Sequence, residues 1–404
     1  METFAIVGGG LAAAKAVEEL RERGFGGQIV VAAAEQHLPY ERPPLSKGYL
    51  LGQEELEKAF VHDAHWYDDH AVDLRLGSEA TGIDLDAHSV ATDRGPVRYE
   101  RLLIATGSRP RHLSMADDSG APVAYLRTIE DSQRLKAAFR PGARVVIVGG
   151  GWIGLEVAAA ARIAGAEVTV LESLELPLVR VLGREVAEVF SGLHQERGVD
   201  VRTNVSVTSV TADGGGAVVT LGDDASFVAD LLVVGVGVAP DTALAEAAGL
   251  KTDNGIVVDE FLRASHPDVF AAGDVARAFH PLLGRSIRVE HWDNAIEQGR
   301  AAAANMLDAH EPYVRLPYFF TDQYDLGIEY VGNVGPDGYD EVVLRGDVPG
   351  RQFTAFWIKG ERVLAGMHAN DWDAIEPIKH IVQSGSVDLS RLRDSAVPLD
   401  AVAG

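Results

Sequence analysis

There is no cysteine among the 404 residues. Without a thiol the chain cannot form a disulfide, ligate an iron–sulfur cluster through sulfur, or attack a substrate as a thiolate. Positive charge is also scarce: 36 Lys and Arg face 60 Asp and Glu, a net charge of −24. This balance argues against nucleic acid, whose phosphates call for concentrated positive charge, and against an anionic membrane surface. An acidic protein partner would need a local basic patch. No apolar run approaches the ~18 residues of a membrane span. The N-terminal residues pass at once into a strand and a glycine turn, so no signal peptide is expected and the cytoplasm is the expected location. Hydrophobic residues make up 47% of the chain, enough to fill the two or three cores its length suggests. A monomer or a homodimer is expected.

Two glycine-rich turns stand out against these absences. Gly8-Gly9-Gly10-Leu11-Ala12-Ala13 follows the apolar run 4–7, and Gly149-Gly150-Gly151-Trp152-Ile153-Gly154 follows 145–148. In such a fingerprint the first glycine permits a tight strand-to-helix turn and the second lets the backbone approach a pyrophosphate. A third small residue lets helix and strand pack closely, and Ala13 is an accepted variant there. The helix N-terminus offers N–H groups and partial positive charge to the phosphates. Each turn is followed by an acid at the end of the next predicted strand. Glu35 lies 27 residues after Gly8, and Glu172 lies 23 after Gly149, a spacing that suits ribose hydroxyls. Two such sites suggest two dinucleotides, usually a flavin and a nicotinamide. The missing thiol pair removes the disulfide-reducing branch of that group. Glu172 would repel a 2′-phosphate, which favours NADH over NADPH; no arginine follows it immediately, although Arg180 lies a few residues on.

The order strand, glycine turn, helix, strand, acid, β-meander, closing strand occurs twice, offset by about 140 residues, as expected of a duplicated domain. The first copy has a helix over 11–23, strands over 28–33 and 101–104, and a meander over 79–98. The second has a helix over 153–163, strands over 167–171 and 231–234, and a meander turning at Gly214-Gly215-Gly216. Strands over 256–258 and 269–271 and a helix over 294–307 follow. Beyond Pro312 the pattern changes to strands over 352–358 and 363–368 with a short helix near 375–382. The fold class predicted is α/β, with two Rossmann-like dinucleotide-binding domains and a C-terminal α+β domain. The expected boundaries are 1–110 with 231–311 for a discontinuous first domain, 111–230 for the second, and 312–404 for the third.

Further motifs appear in order: Arg42-Pro43-Pro44-Leu45-Ser46-Lys47, Ala105-Thr106-Gly107-Ser108-Arg109-Pro110, the run from Gly149 to Glu156, Ala272-Gly273-Asp274, and Asp322-Gln323-Tyr324-Asp325. With these the chain resembles, over nearly its whole length, the FAD-dependent, NADH-using ferredoxin reductases of oxygenase systems. The resemblance implies a glutathione-reductase-like architecture with FAD on the first fingerprint and NADH on the second. On the FAD side it implies roles for Gly8, Gly10, Leu11, Ala12 and Glu35 at the pyrophosphate and ribose. Arg42 and Lys47 would lie on the loop beside the flavin, Thr106 and Gly107 under it, and Gly273 and Asp274 at the ribityl–phosphate region. Glu290, His291 and Trp292 would pass the pyrimidine edge. On the NADH side it implies Gly149, Gly151, Ile153, Glu156, Glu172 and Gly237, with Arg127 at the domain crossover. The electron acceptor implied is a 2Fe–2S ferredoxin serving a P450 or a Rieske-type oxygenase. A rubredoxin reductase, or an NADH-dependent quinone reductase or oxidase of the same fold, is the alternative.

Several residues keep two readings. Lys47 and Glu156 make chemical sense as a pair, the lysine stabilising negative charge on a reduced flavin and the glutamate holding it in place. Lys47 could equally be a surface lysine, and Glu156 part of a structural ion pair. Trp152 is either a lid at the nicotinamide or a packing aromatic. Phe320 stands where the family commonly carries tryptophan, so it clamps the nicotinamide with less area or belongs to a core. Ala34 precedes Glu35 where relatives often have a second acid. His62 and His65 are expected to share a helix face, but the histidines form no convincing metal set, and no metal is expected. Arg288, Arg300, Arg315, Lys359 and Lys379 are candidates for a ferredoxin-docking patch.

Overall fold

The computed structural model describes residues 2–385 and 387–402. The chain divides into two compact units. One comprises Met1–Pro43, Glu55–Arg109 and Val238–Pro317, and the other Pro44–Glu54, Pro110–Gly237 and Tyr318–Gly404.

The first unit is built on a five-stranded sheet in the order Val269–Ala271, Arg101–Ile104, Thr3–Val7, Gln28–Ala33, Val72–Leu76. All its pairings are parallel. Strands buried on both faces read as continuous apolar runs, as Phe4–Val7 and Leu102–Ile104 do, each residue nearly inaccessible. The helix Leu11–Glu22 follows the first glycine turn, one residue shorter than the sequence suggests because Arg23 forms its C-cap. It packs against Trp292–Met306 at very short range. A Cβ placed on Gly299 would lie 2.4 Å from the Ala12 carbonyl oxygen. Gly299→Ala therefore has to push two helices apart, and we expect a loss of about 2–3 kcal/mol in urea unfolding; an unchanged midpoint would show that the helices separate freely. The expected meander is present as Ala80–Asp84, Ser89–Thr92 and Val97–Arg98.

The second unit repeats the plan. Its parallel sheet runs Asp200–Arg202, Glu167–Leu171, Arg144–Val148, Leu231–Val234, Val123–Ala124. The helix Trp152–Ile163 follows the second glycine turn, and a three-stranded meander turns at Gly214 and Gly215. The C-terminal residues add a five-stranded antiparallel sheet: Tyr318–Gln323, Leu326–Gly332, Arg362–Ala369, Gln352–Lys359, Glu341–Asp347. Its first strand alternates cleanly. Phe319, Thr321 and Gln323 are buried, whereas Tyr318 and Phe320 are half-buried and Asp322 is exposed, the period of two that one covered face requires. The inner face shares a core with the preceding residues of this unit. Leu155, Leu182 and Phe190 pack with Phe319, Phe353 and Trp357, and the Trp357 indole donates to the Leu182 carbonyl at 3.0 Å. The helical span that supplies part of this core, Val179–Glu196, is broken at Gly183 (φ 75°, ψ 174°). The sequence reading did not anticipate it.

Candidate active site

In the first unit the glycine turn is shaped by two different constraints. Gly8 has φ +113°, and a Cβ there would sit 2.2 Å from the Ala105 carbonyl oxygen. Gly10 is the N-cap of Leu11–Glu22, in extended backbone, and a Cβ there would meet nothing within 4 Å. The fold itself does not demand glycine at Gly10. Leu11 and Ala12 open the helix as buried residues, no side chain caps it, and its first turn holds no acid. An anion-accepting N-terminus of this kind fits a pyrophosphate.

Around that turn the other residues form local clusters. The Glu35 carboxylate accepts from Arg42 Nη2 at 3.0 Å and from the Tyr40 hydroxyl at 2.5 Å. Burial alone would weaken the Arg42 charge, but Tyr40 and Glu35 outweigh it and hold its pKa above the ordinary guanidinium value. Tyr40 was missing from the sequence reading; its position between Glu35 and Arg42 was the available signal. Thr106 donates to the Asp241 carbonyl at 2.8 Å, and the Gly107 carbonyl accepts the Asp241 N–H at 3.0 Å. Asp274 accepts from Ser108 Oγ at 2.8 Å. Gly273 (φ +79°) donates to Gln298 Oε1 at 2.9 Å and approaches Ala12, its Cβ position lying 3.2 Å from that of Ala12. Glu290 pairs with Arg288 at 2.5 Å, His291 is the N-cap of Trp292–Met306, and Trp292 begins that helix. These residues lie at the starts of two helices, Leu11–Glu22 and Trp292–Met306, and at nearby strand ends.

The second unit presents the same design. Gly149 has φ +105° with its Cβ position 2.3 Å from the Gly235 carbonyl oxygen, and that of Gly154 is 2.1 Å from the Gly149 oxygen. Gly151, the N-cap, again meets nothing within 4 Å. Ile153 stays 43% exposed at this helix start. Glu172 is buried, and its carboxylate braces the turn, accepting the N–H groups of Gly150 and Leu174, each at 2.8 Å. A carboxylate offers about four lone-pair sites, so ribose hydroxyls can still be accepted. Arg180 lines an open groove beside it with Ser173, Leu174, Glu175, Val179 and Asn204. Gly237 (φ +99°) accepts the Arg111 N–H at 2.9 Å. Arg127 precedes the capping box of Thr128 and Asp131, its N–H donating to Asp131 at 3.0 Å.

A buried polar cluster also lies in this unit. Glu156 is 4% exposed on the glycine-turn helix. Its Oε1 accepts from Lys47 Nζ at 2.7 Å and from Thr321 Oγ1 at 2.5 Å, and its Oε2 accepts from Ser46 Oγ at 2.5 Å. Lys47 is mostly covered, with its ammonium 5.4 Å from the centre of the Phe320 ring. The surface-lysine reading is therefore excluded. Ser46 and Thr321 were not singled out from the sequence, although each directly adjoins a residue that was.

Other expectations are corrected. Trp152 packs edge-on against Phe190 and lies 4.8 Å from the Phe319 ring centre. Phe320 is on the face opposite the aromatic core and beneath Lys47, not within the core. His62 and His65 do not share a helix face. The helix is Ala64–Asp69 with Asp63 as N-cap, and His62, outside it, stacks on Trp66 and pairs with Glu18 at 3.2 Å. Among the described residues His88, His266 and Asp268 bring ligand atoms within 4.8 Å of one another, but Arg101 already pairs with that aspartate. The five candidate docking cations all have partners. Arg288 pairs with Glu290, Arg300 with Glu18, Arg315 with both oxygens of Asp293, and Lys379 with Glu376; Lys359 donates to the Asp337 carbonyl. No helix among the described residues is long and apolar enough to cross a membrane.

Comparison with known proteins agrees with this geometry. Residues 2–299 match the pyridine nucleotide-disulphide oxidoreductase family, and residues 318–403 match the reductase C-terminal domain. The ferredoxin--NAD(+) reductase component of the anthranilate 1,2-dioxygenase system of Burkholderia cepacia is 40% identical over 98% of both chains. Putidaredoxin reductase, solved in covalent complex with putidaredoxin, superposes with a TM-score of 0.94 at 36% identity, covering 99% of this chain and 97% of that one. A ferredoxin reductase from Rhodopseudomonas palustris gives a TM-score of 0.95 at 34% identity, covering 100% of both. Two glycine-turn helices, no redox thiol, a lysine–glutamate pair and a C-terminal antiparallel sheet thus have one common explanation: the chain belongs to the pyridine nucleotide-disulphide oxidoreductase family, within the group of ferredoxin--NAD(+) reductases of oxygenase systems.

Proposed function

We propose that this chain is an NADH-dependent, FAD-containing reductase that delivers electrons to a 2Fe–2S ferredoxin, which in turn serves a P450 or Rieske-type oxygenase in the cytoplasm. The observation that carries the proposal is the pair of open N-caps, Gly10 and Gly151, each at the start of a helix that no side chain caps, in a chain without cysteine. What FAD supplies when bound is the conversion of a two-electron input into single-electron outputs. The balance is one NADH and two oxidised ferredoxins in, one NAD+, two reduced ferredoxins and one proton out.

The chain's residues divide the remaining work. The turn at Gly8 and Gly10 with Glu35, Arg42, Asp274 and Thr106 holds FAD. The turn at Gly149 and Gly151 holds NADH, with Glu172 setting the preference for a free 2′-hydroxyl because a phosphate there would meet a buried carboxylate. Lys47 and Glu156 form the charged pair that serves the redox step. Neither has to carry a proton, since hydride transfer depends mostly on positioning.

The test is reduction of cytochrome c by the purified flavoprotein, with and without an added 2Fe–2S ferredoxin, using NADPH as control. Strong stimulation by ferredoxin is expected, with kcat/KM for NADH about 100-fold above NADPH. Rapid turnover with quinones or rubredoxin and none with any 2Fe–2S ferredoxin would replace this reading with one of its alternatives.

A further inference from the structure

The Lys47–Glu156 pair does not end at Thr321. The Thr321 hydroxyl accepts from Gln323 Nε2 at 3.3 Å, and Gln323 Oε1 contacts His194 Nε2 at 2.9 Å. Thr321 and Gln323 stand two apart on Tyr318–Gln323, so the pleat aims both at one face. His194 reaches them from Val179–Glu196. All three are buried, with at most 1% exposed.

Each link has two chemical orientations in isolation: a hydroxyl can turn, an amide can flip, and an imidazole has two tautomers. Glu156 removes that freedom. Where its carboxylate serves as an acceptor only, Thr321 gives its single proton to Glu156. The lone pairs of Thr321 then face the Gln323 amide, which must present NH2 to Thr321 and C=O to His194. His194 must in turn carry its proton on Nε2. Reversing the tautomer would flip the amide, turn the Thr321 hydroxyl away from Glu156, and leave the carboxylate one donor short.

We infer that His194, Gln323 and Thr321 are positioning residues, forming a one-directional hydrogen-bond chain that orients the Glu156 carboxylate and so holds Lys47 in place. The effect on catalysis rests on the proposed function; the wiring does not. Burial keeps the His194 pKa below the ordinary histidine range, against the pull of the Gln323 bond. A neutral ring with one proton is what the chain requires.

Two measurements on the full-length protein decide the matter. Nitrogen-15 NMR of labelled histidine should show His194 protonated at Nε2 alone at neutral pH. In stopped-flow reduction by NADH, Thr321→Val should lower the limiting rate about 10-fold while the NADH dissociation constant stays within about two-fold, because a small misplacement of a positioned group costs rate rather than affinity. Thr321→Ser, which restores the hydroxyl, should recover the parent rate to within about two-fold. Gln323→Leu, cutting the next link, should match Thr321→Val. A His194 ring protonated at Nδ1 alone, or a parent-like limiting rate in Thr321→Val, overturns the inference. A parent protein that holds no flavin, or whose flavin NADH leaves oxidised, sinks the proposed function instead, and the tautomer on that same protein still decides the wiring.

Discussion

Glu156→Leu should lower the stability of the folded chain by about 3 kcal/mol in urea unfolding at neutral pH, among the largest single-residue effects in this protein. The carboxylate is 4% exposed and is the acceptor for three donors, Lys47, Ser46 and Thr321. Its removal leaves a largely covered ammonium without a counter-charge and two hydroxyls without their acceptor, and stranded buried groups cost more than the pair itself gains. Lys47 retains 18% exposure and can turn partly to water, which keeps the figure at the lower end for a buried pair. The double variant Lys47→Met with Glu156→Leu should recover most of the loss, since no charge is then stranded. A single variant as stable as the parent, or a double variant worse than the single, would show that the pair contributes nothing to folding. Both variants should reduce flavin slowly, which separates the pair's redox role from its structural one.

Substitutions in the first glycine turn should divide by kind. Gly8→Ala adds a Cβ at 2.2 Å from a backbone oxygen and at φ +113°, so the turn must open, and a loss of about 3 kcal/mol or more is expected. Gly10→Val places its side chain at a position where nothing lies within 4 Å and where the backbone is extended. The flavin-free protein should keep its unfolding midpoint while flavin affinity falls about 100-fold, because the added carbons occupy the approach to the helix N-terminus. Gly151→Val should do the same to NADH with flavin content intact. Measurement needs only the melting temperature of the flavin-free chain and the flavin and NADH dissociation constants. A Gly10→Val protein with full flavin content would remove the dinucleotide reading of this turn. Equal destabilisation by Gly8→Ala and Gly10→Val would mean that both glycines serve the fold alone.

How far the sequence reaches can be judged residue by residue. The parallel strands were legible because strands buried on both faces read as apolar runs, as at 4–7 and 145–148. The helices after each glycine turn were legible because glycine, helix and downstream acid occur in one fixed order. The span Val179–Glu196 was not anticipated; its helical φ/ψ is interrupted at Gly183, and local periodicity does not carry across such a break. His62 was misplaced by a helix that begins two residues later at Ala64, within the ordinary uncertainty of helix ends.

The glycine turns, the exclusion of thiol chemistry and the candidacy of Glu172 were legible in the chain because they rest on residue type and local spacing, whereas Lys47 and Glu156 were placed by the family resemblance. What each residue is bonded to follows from the packing of the folded chain. Glu156 meets Thr321 across 165 positions and Lys47 across 109, and His194 meets Gln323 across 129. Contacts at such separations are set by how a sheet and two helices pack, and no local pattern in the chain encodes them. The same holds for the two kinds of glycine: Gly8 and Gly10 are identical letters, and what distinguishes them is the presence of Ala105 against one and open space beside the other.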